Sequence, residues 1–433
     1  MQKFLLGTAT AAHQVEGNNI HSDYWAMEHM KYQNFSEPSL AAVDHYNRYE
    51  EDIKMMAEAN LNAYRFSIEW ARIEPEEGVF DQNEIEHYRD VLKICHKYNI
   101  EPVVTLHHFT SPKWLISLGG WKSERVVFYF TRYVKKVISE LGSLFDYVCT
   151  INEANMGIQV SAIMERYKKQ MLAGRKSDAE GQAQVGMNFN QMLANRKLQE
   201  EECVRVFGVP KLATFVSPRS KESDQLVMKA HVEARRIIKE LYPHIKVGLT
   251  LSLHDIQAQA GGKERAKKEW DDEFLHYLPY IKDDDFFGLQ NYTRLLIGPE
   301  GQLPYPEGAV LTQMGYEYYP EGLENVIRKV YQDLKIPIMV TENGIATADD
   351  DLRCAFIKEA LNGVQRSIAD GIPVIGYLHW SFCDNFEWQK GYSMQFGLVA
   401  VERKTMKRAK KKSLDLLGSY RWFEEMFSRN RGT

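Results

Sequence analysis

Short apolar runs alternate with longer amphipathic segments from one end of the chain to the other. The runs predict strands near Lys3–Gly7, Ala63–Ser67, Pro102–Leu106, Tyr147–Ile151, Val247–Leu251, Phe287–Leu289, Ile338–Thr341 and Val374–Tyr377. Between them, apolar positions recur at helical spacing, as in Glu84–Tyr98, Val126–Leu141, Leu226–Leu241 and Leu352–Asp370. Strand and helix in strict alternation argue for a parallel sheet, because only a crossover helix can return the chain to the same end. Eight such units predict an α/β fold of one closed (β/α)8 TIM barrel, with residues 1–433 as a single domain.

Punctuation agrees with these boundaries. Asn60, Asn99 and Gly371 follow helical patterns and tolerate the left-handed backbone needed beyond a C-cap. Asp81 with Glu84 three positions on reads as a capping box. One stretch, about 156–217 after the fourth strand, is rich in Lys, Arg, Gln, Glu and Met and fits no barrel unit. It reads as an enlarged loop over the active-site face, either a wall of the entrance or a solvated excursion.

Composition narrows the function without naming it. The 433 residues carry 54 Lys+Arg against 59 Asp+Glu, a net charge of −5 that argues against nucleic-acid or acidic-membrane binding. The five cysteines (Cys95, Cys149, Cys203, Cys354 and Cys383) are odd in number and have no C-x-x-C spacing. The start, Met1 to Gly7, is too short in apolar length for a signal peptide, and no run of about 18 apolar residues occurs. A soluble cytoplasmic protein is the expectation.

Candidate chemistry gathers at predicted strand ends. Glu153 follows the fourth strand in Thr150-Ile151-Asn152-Glu153, and Glu342 follows the seventh in Thr341-Glu342-Asn343-Gly344. A parallel barrel brings its C-terminal strand ends to one mouth. Two carboxyls there are the pair that glycosidic-bond hydrolysis needs, one to protonate the leaving oxygen and one to support the oxocarbenium-like centre. Gln14 and Glu16 follow the first strand, Arg65 ends the second, and His107-His108 ends the third. Arg65 could lower the pKa of an ionised carboxylate or make a structural ion pair. Neighbours on a strand face opposite ways, so the two histidines cannot share one metal ion. The last strand leads to Trp380 and Trp388 with Glu387 between them, which is either a sugar platform with a hydroxyl acceptor or core aromatics beside a surface acid.

Five segments in order carry a resemblance: Ala11-Ala12-His13-Gln14-Val15-Glu16-Gly17, Tyr64-Arg65-Phe66-Ser67-Ile68-Glu69-Trp70, the Glu153 and Glu342 motifs, and Asp384-Asn385-Phe386-Glu387-Trp388 with Gly391-Tyr392. They resemble glycoside hydrolase family 1, the β-glucosidase/β-galactosidase family, from Phe4 to about Tyr420. The resemblance implies Glu153 as acid/base and Glu342 as nucleophile, with Arg65 and Tyr292 supporting the latter. It implies that Asn152 bonds the sugar 2-hydroxyl and that Gln14, His108, Trp380, Glu387 and Trp388 hold the sugar. No metal or cofactor is implied, and the partner is a small-molecule or oligosaccharide β-glycoside. Departures from the family pattern are Ala154 for Pro, Phe109 for Trp, Gln290-Asn291-Tyr292 for Asn-Tyr-Tyr, Gln395 for Arg, and an atypical segment beyond Glu153. The expected activity is retaining exo-β-glycosidase on β-D-glucosides, with β-D-fucosides and β-D-galactosides as further substrates. The alternatives are a 6-phospho-β-glycosidase and a catalytically silent sugar-binding protein.

Overall fold

The computed structural model describes residues 3–172 and 184–422. Eight parallel strands close on themselves: β1 (Leu5–Ala9), β2 (Ala63–Ser67), β3 (Glu101–Thr105), β4 (Tyr147–Cys149), β5 (Lys246–Ser252), β6 (Phe286–Gln290), β7 (Ile338–Asn343) and β8 (Val374–Trp380). Each strand pairs with its sequence neighbours, and β1 closes the ring on β8 with Leu5 opposite Gly376 and Ala9 opposite Trp380. The strands are buried almost throughout, as expected when helices cover the outside and side chains fill the inside.

Outside the strands run α1 (His45–Glu58), α2 (Gln82–Lys97), α3 (Val126–Leu141), α4 (Met156–Leu172), α5 (Lys221–Leu241), α6 (Lys263–Glu273), α7 (Gly322–Asp333) and α8 (Asp350–Ala369). The sequence placed α3 and the C-terminal end of α5 where they are and missed the other helix ends it marked by a few residues. The strands of the second half run further than their apolar runs, because their polar ends still pair at the barrel mouth. A three-stranded sheet of Asp255–Ala258, Arg294–Gly298 and Gly301–Gln302 was not foreseen. Asn60, Asn99 and Gly371 adopt φ of 63°, 57° and 86°, as their helix-ending positions require. The capping box does not form. Asp81 caps α2 by accepting from Asn83 N at 2.8 Å, but Glu84 turns away to accept from the Tyr46 hydroxyl at 3.1 Å. Among the described residues, no helix is long and apolar enough to cross a membrane.

Candidate active site

The strand ends hold their polar residues by specific anchors. Glu153 sits at φ 42°, a left-handed conformation that costs a side-chain-bearing residue energy and persists only under tertiary constraint. The constraint comes from β5: the Thr250 hydroxyl accepts from Glu153 N at 2.9 Å, and the Thr250 carbonyl accepts from Ala154 N at 3.0 Å. A proline at position 154 would lack that second donor. Asn155 completes the clamp, donating to Ser252 O at 2.7 Å and accepting from Ser252 N at 3.1 Å. In β7 the register slips beyond Val340 against both neighbours, and this irregularity falls at Glu342. Gly344 lets the chain pass the Trp380 carbonyl, since a Cβ there would lie 2.0 Å from that oxygen.

Glu342 is gripped on both oxygens. Arg65 Nη1 donates to Oε1 at 2.6 Å, and the Tyr292 hydroxyl donates to Oε2 at 2.6 Å. The fully buried Arg65 fork reaches further, with Nη2 to Asn152 Oδ1 at 2.6 Å and Nε to Thr105 Oγ1 at 2.9 Å. Asn152 Oδ1 also accepts from Gln290 Nε2 at 2.7 Å, so the lengthened amide at position 290 still reaches its neighbour. These donors fix the Asn152 amide with its nitrogen against His108 Nε2, at 3.1 Å. His108 then carries its proton on Nδ1, which has no partner among the described residues. Burial and the nearby Arg65 charge push the His108 pKa well down, so the ring is neutral. His107 faces the other way, packed on Trp121 and Phe215 with Nε2 3.1 Å from Ser111 Oγ.

Around these groups lies a cavity of about 270 Å³, lined by His108, Phe109, Asn152, Glu153, Gln184, Val185, Tyr292, Glu342, Trp380, Glu387, Trp388 and Phe396. The indoles of Trp380 and Trp388 meet at His108, each within about 23° of its plane at 5.7 and 6.0 Å. Arg65 and Gln14 do not line the cavity; they stand one layer behind it. Gln14 Nε2 donates to Glu387 Oε2 at 3.2 Å and to Phe386 O at 2.8 Å. Glu16 is directed elsewhere, into an ion pair with Arg72 at 2.8 Å.

The carboxyls differ in proton affinity. Burial pushes Glu153 well above the ordinary range, and the Glu342 charge pushes it further. Burial raises Glu342 too, but Arg65 and the Tyr292 hydrogen bond pull it back. Arg65 lowers the Glu342 pKa as expected and so offsets part of the burial cost, while the net shift stays upward because burial is the larger cause. Glu387 is raised to about 8 by burial, against the opposing Gly186 N–H and Gln14 amide.

The sequence did not single out Gln184, Val185 and Gly186. They belong to the stretch left open between wall and excursion, and the structure sets them against the cavity. Gly186 N donates to Glu387 Oε1 at 3.1 Å, and Gln184 Oε1 accepts from Tyr292 N at 2.9 Å. Those partners lie 201 and 108 positions away, so no local pattern could have signalled them. Phe396 and Ser252 were likewise missed, being ordinary residues whose place depends on the barrel closing.

A parallel barrel with two carboxyls of unequal proton affinity in an aromatic-walled pocket at its strand ends defines a glycosidase-like enzyme. Residues 1–432 match glycosyl hydrolase family 1, and the chain belongs to that family. A solved apo β-glucosidase shares 39% identity over 96% of this chain and 98% of its own, with a TM-score of 0.85. β-Glucosidase A of Acetivibrio thermocellus is 28% identical over 99% of this chain and 98% of its own. A 6-phospho-β-galactosidase of Staphylococcus epidermidis is 29% identical over 98% of this chain and 97% of its own.

Proposed function

We propose that this glycoside hydrolase is a retaining exo-β-glycosidase acting on β-D-glucosides, with β-D-fucosides and β-D-galactosides as further substrates, and that residues 1–433 work as one barrel domain. Glu342 attacks the anomeric carbon while Glu153 protonates the departing oxygen. Glu153 then takes a proton from water as that water releases the sugar from Glu342. The observation that carries this reading is the unequal pair: Glu342 has a cation and a phenol on its oxygens, whereas Glu153 is buried with its proton favoured. Asn152 has a second amide hydrogen and His108 a free Nδ1–H to offer sugar hydroxyls. Trp380 and Trp388 line the same cavity as both carboxyls, giving a terminal sugar flat apolar faces beside the reacting groups.

The phosphorylated-sugar reading lacks comparable support, because no Lys or Arg is among the lining residues to pair with a phosphate dianion. The silent-binder reading leaves unexplained why Glu342 keeps Arg65 and Tyr292 on its oxygens while a second carboxyl, Glu153, lines the same cavity. Incubation with a 2-deoxy-2-fluoro-β-glucoside bearing a good leaving group should add one sugar mass at Glu342. An NMR time course should show the β-anomer of glucose first. Labelling at Glu153, or the α-anomer first, would overturn the mechanism.

A further inference from the structure

Gln184 has one amide atom committed and one idle. Its Oε1 is tied to Tyr292 N at 2.9 Å, which fixes the amide, because a flip would set N–H against N–H. Its Nε2 has no partner among the described residues, although the side chain is 5% exposed and lines the cavity. Buried amide nitrogens are nearly always bonded, so an idle donor at a ligand cavity asks for an acceptor on the ligand.

Its place along the sugar follows from the groups on either side. Glu342 marks the anomeric carbon in the proposed function, on which this inference rests. One of its oxygens faces Arg65, which holds Asn152 and, through it, His108; the other faces Tyr292. With Asn152 on the 2-hydroxyl, the Tyr292 side of the ring carries the ring oxygen and the sixth carbon. Within three residues the chain crosses from Tyr292, through Gln184 and Val185, to Gly186 on Glu387. Gln184 therefore lies between the reacting end and Glu387, along the edge that bears the sixth carbon.

We infer that Gln184 is a sugar-binding, specificity-determining residue whose free amide N–H donates to the oxygen at the sixth carbon of the sugar. A hydroxyl there is matched on both counts: it can donate to Glu387 and still has lone pairs for Gln184. A 6-deoxy sugar leaves the amide idle. A 6-ammonium group has donors only, so it suits Glu387 but offers Gln184 nothing. The pocket thereby favours 6-hydroxylated pyranosides by complementarity of donors and acceptors.

The test is kcat/KM of the full chain on aryl β-glucoside and aryl 6-deoxy-β-glucoside, for the parent and Gln184→Met. The variant should lose roughly 5- to 150-fold on the glucoside, the range for one buried hydrogen bond, and much less on the 6-deoxy sugar. The ratio between the substrates should collapse towards one. If Gln184 only braced Tyr292, both substrates would suffer equally, and an unchanged ratio overturns the assignment. Should the variant not fold, the parent alone decides with the 6-amino-6-deoxy-β-glucoside. It should turn over at least about 5-fold less efficiently than the glucoside, and equal or better turnover overturns the assignment. A parent inactive on every β-glucoside overturns the function and this assignment together; an active parent with an unchanged ratio overturns the assignment alone.

Discussion

Replacing Arg65 by Met should move the acid limb of the pH–rate profile upward. Arg65 is fully buried and is the cation in contact with Glu342, at 2.6 Å. An opposite charge at that range is worth about 1–3 pKa units to a carboxylate, and its loss leaves burial unopposed except by Tyr292. Glu342 must be ionised to attack, so kcat/KM falls as pH drops through its pKa, and the limb should rise by about 1–3 pH units. Well below the new pKa, each unit is a tenfold loss. Stability should follow the same proton. With its folded pKa raised further above the ordinary 4.5, Glu342 stabilises the fold only below that value and progressively less as pH rises through the folded pKa. The deficit of the variant against the parent should therefore be small near pH 5 and grow towards pH 8, up to about 3–5 kcal/mol if the carboxylate is left charged and unpaired. Arg65→Lys keeps the charge but not the three-way fork to Glu342, Asn152 and Thr105. It should shift the limb by less than about one unit while still lowering the rate. The assay is kcat/KM against pH on an activated aryl β-glucoside, with melting curves at both pH values. An acid limb that stays put in Arg65→Met would refute the argument that this cation governs Glu342.

Glu153→Ala should cost at least about 100-fold on glycosides with poor leaving groups, the usual span of general-acid catalysis. It should spare the bond-breaking step of activated aryl glycosides and remove the alkaline limb of their profile; equal losses on both classes would argue against the acid role. Gly186→Ala would set a Cβ 2.5 Å from the Glu387 carbonyl and 3.2 Å from its Oε1. Such overpacking costs about 1–3 kcal/mol, and the displacement of Glu387 should raise KM for the glucoside more than it lowers kcat. A KM unchanged in a folded variant would separate this segment from the sugar site.

The barrel was legible because its signal is local and repeated. Each strand is an apolar run bounded by turn residues, each helix shows its own period, and alternation leaves parallel pairing as the solution. Glu153, Glu342, Arg65 and the Trp380–Trp388 segment could be marked as candidates for the same reason, since the ends of parallel strands must share one mouth. The sequence alone could not say what those side chains touch. Glu84 had the spacing of a capping box, yet a tyrosine from another helix took it. Arg65 was expected to lower a pKa, but the depth of burial around Glu342 outweighs it, and burial is a property of the closed fold. Glu387 reads as an ordinary acid until the pocket around it removes its water. Residues 184–186 show the limit most plainly. A Gln-Val-Gly step inside a polar stretch carries no periodicity and no turn signature that points to a ligand. Only the tertiary structure, by bringing positions 108 and 201 residues apart into hydrogen-bonding distance, turns it into part of the pocket.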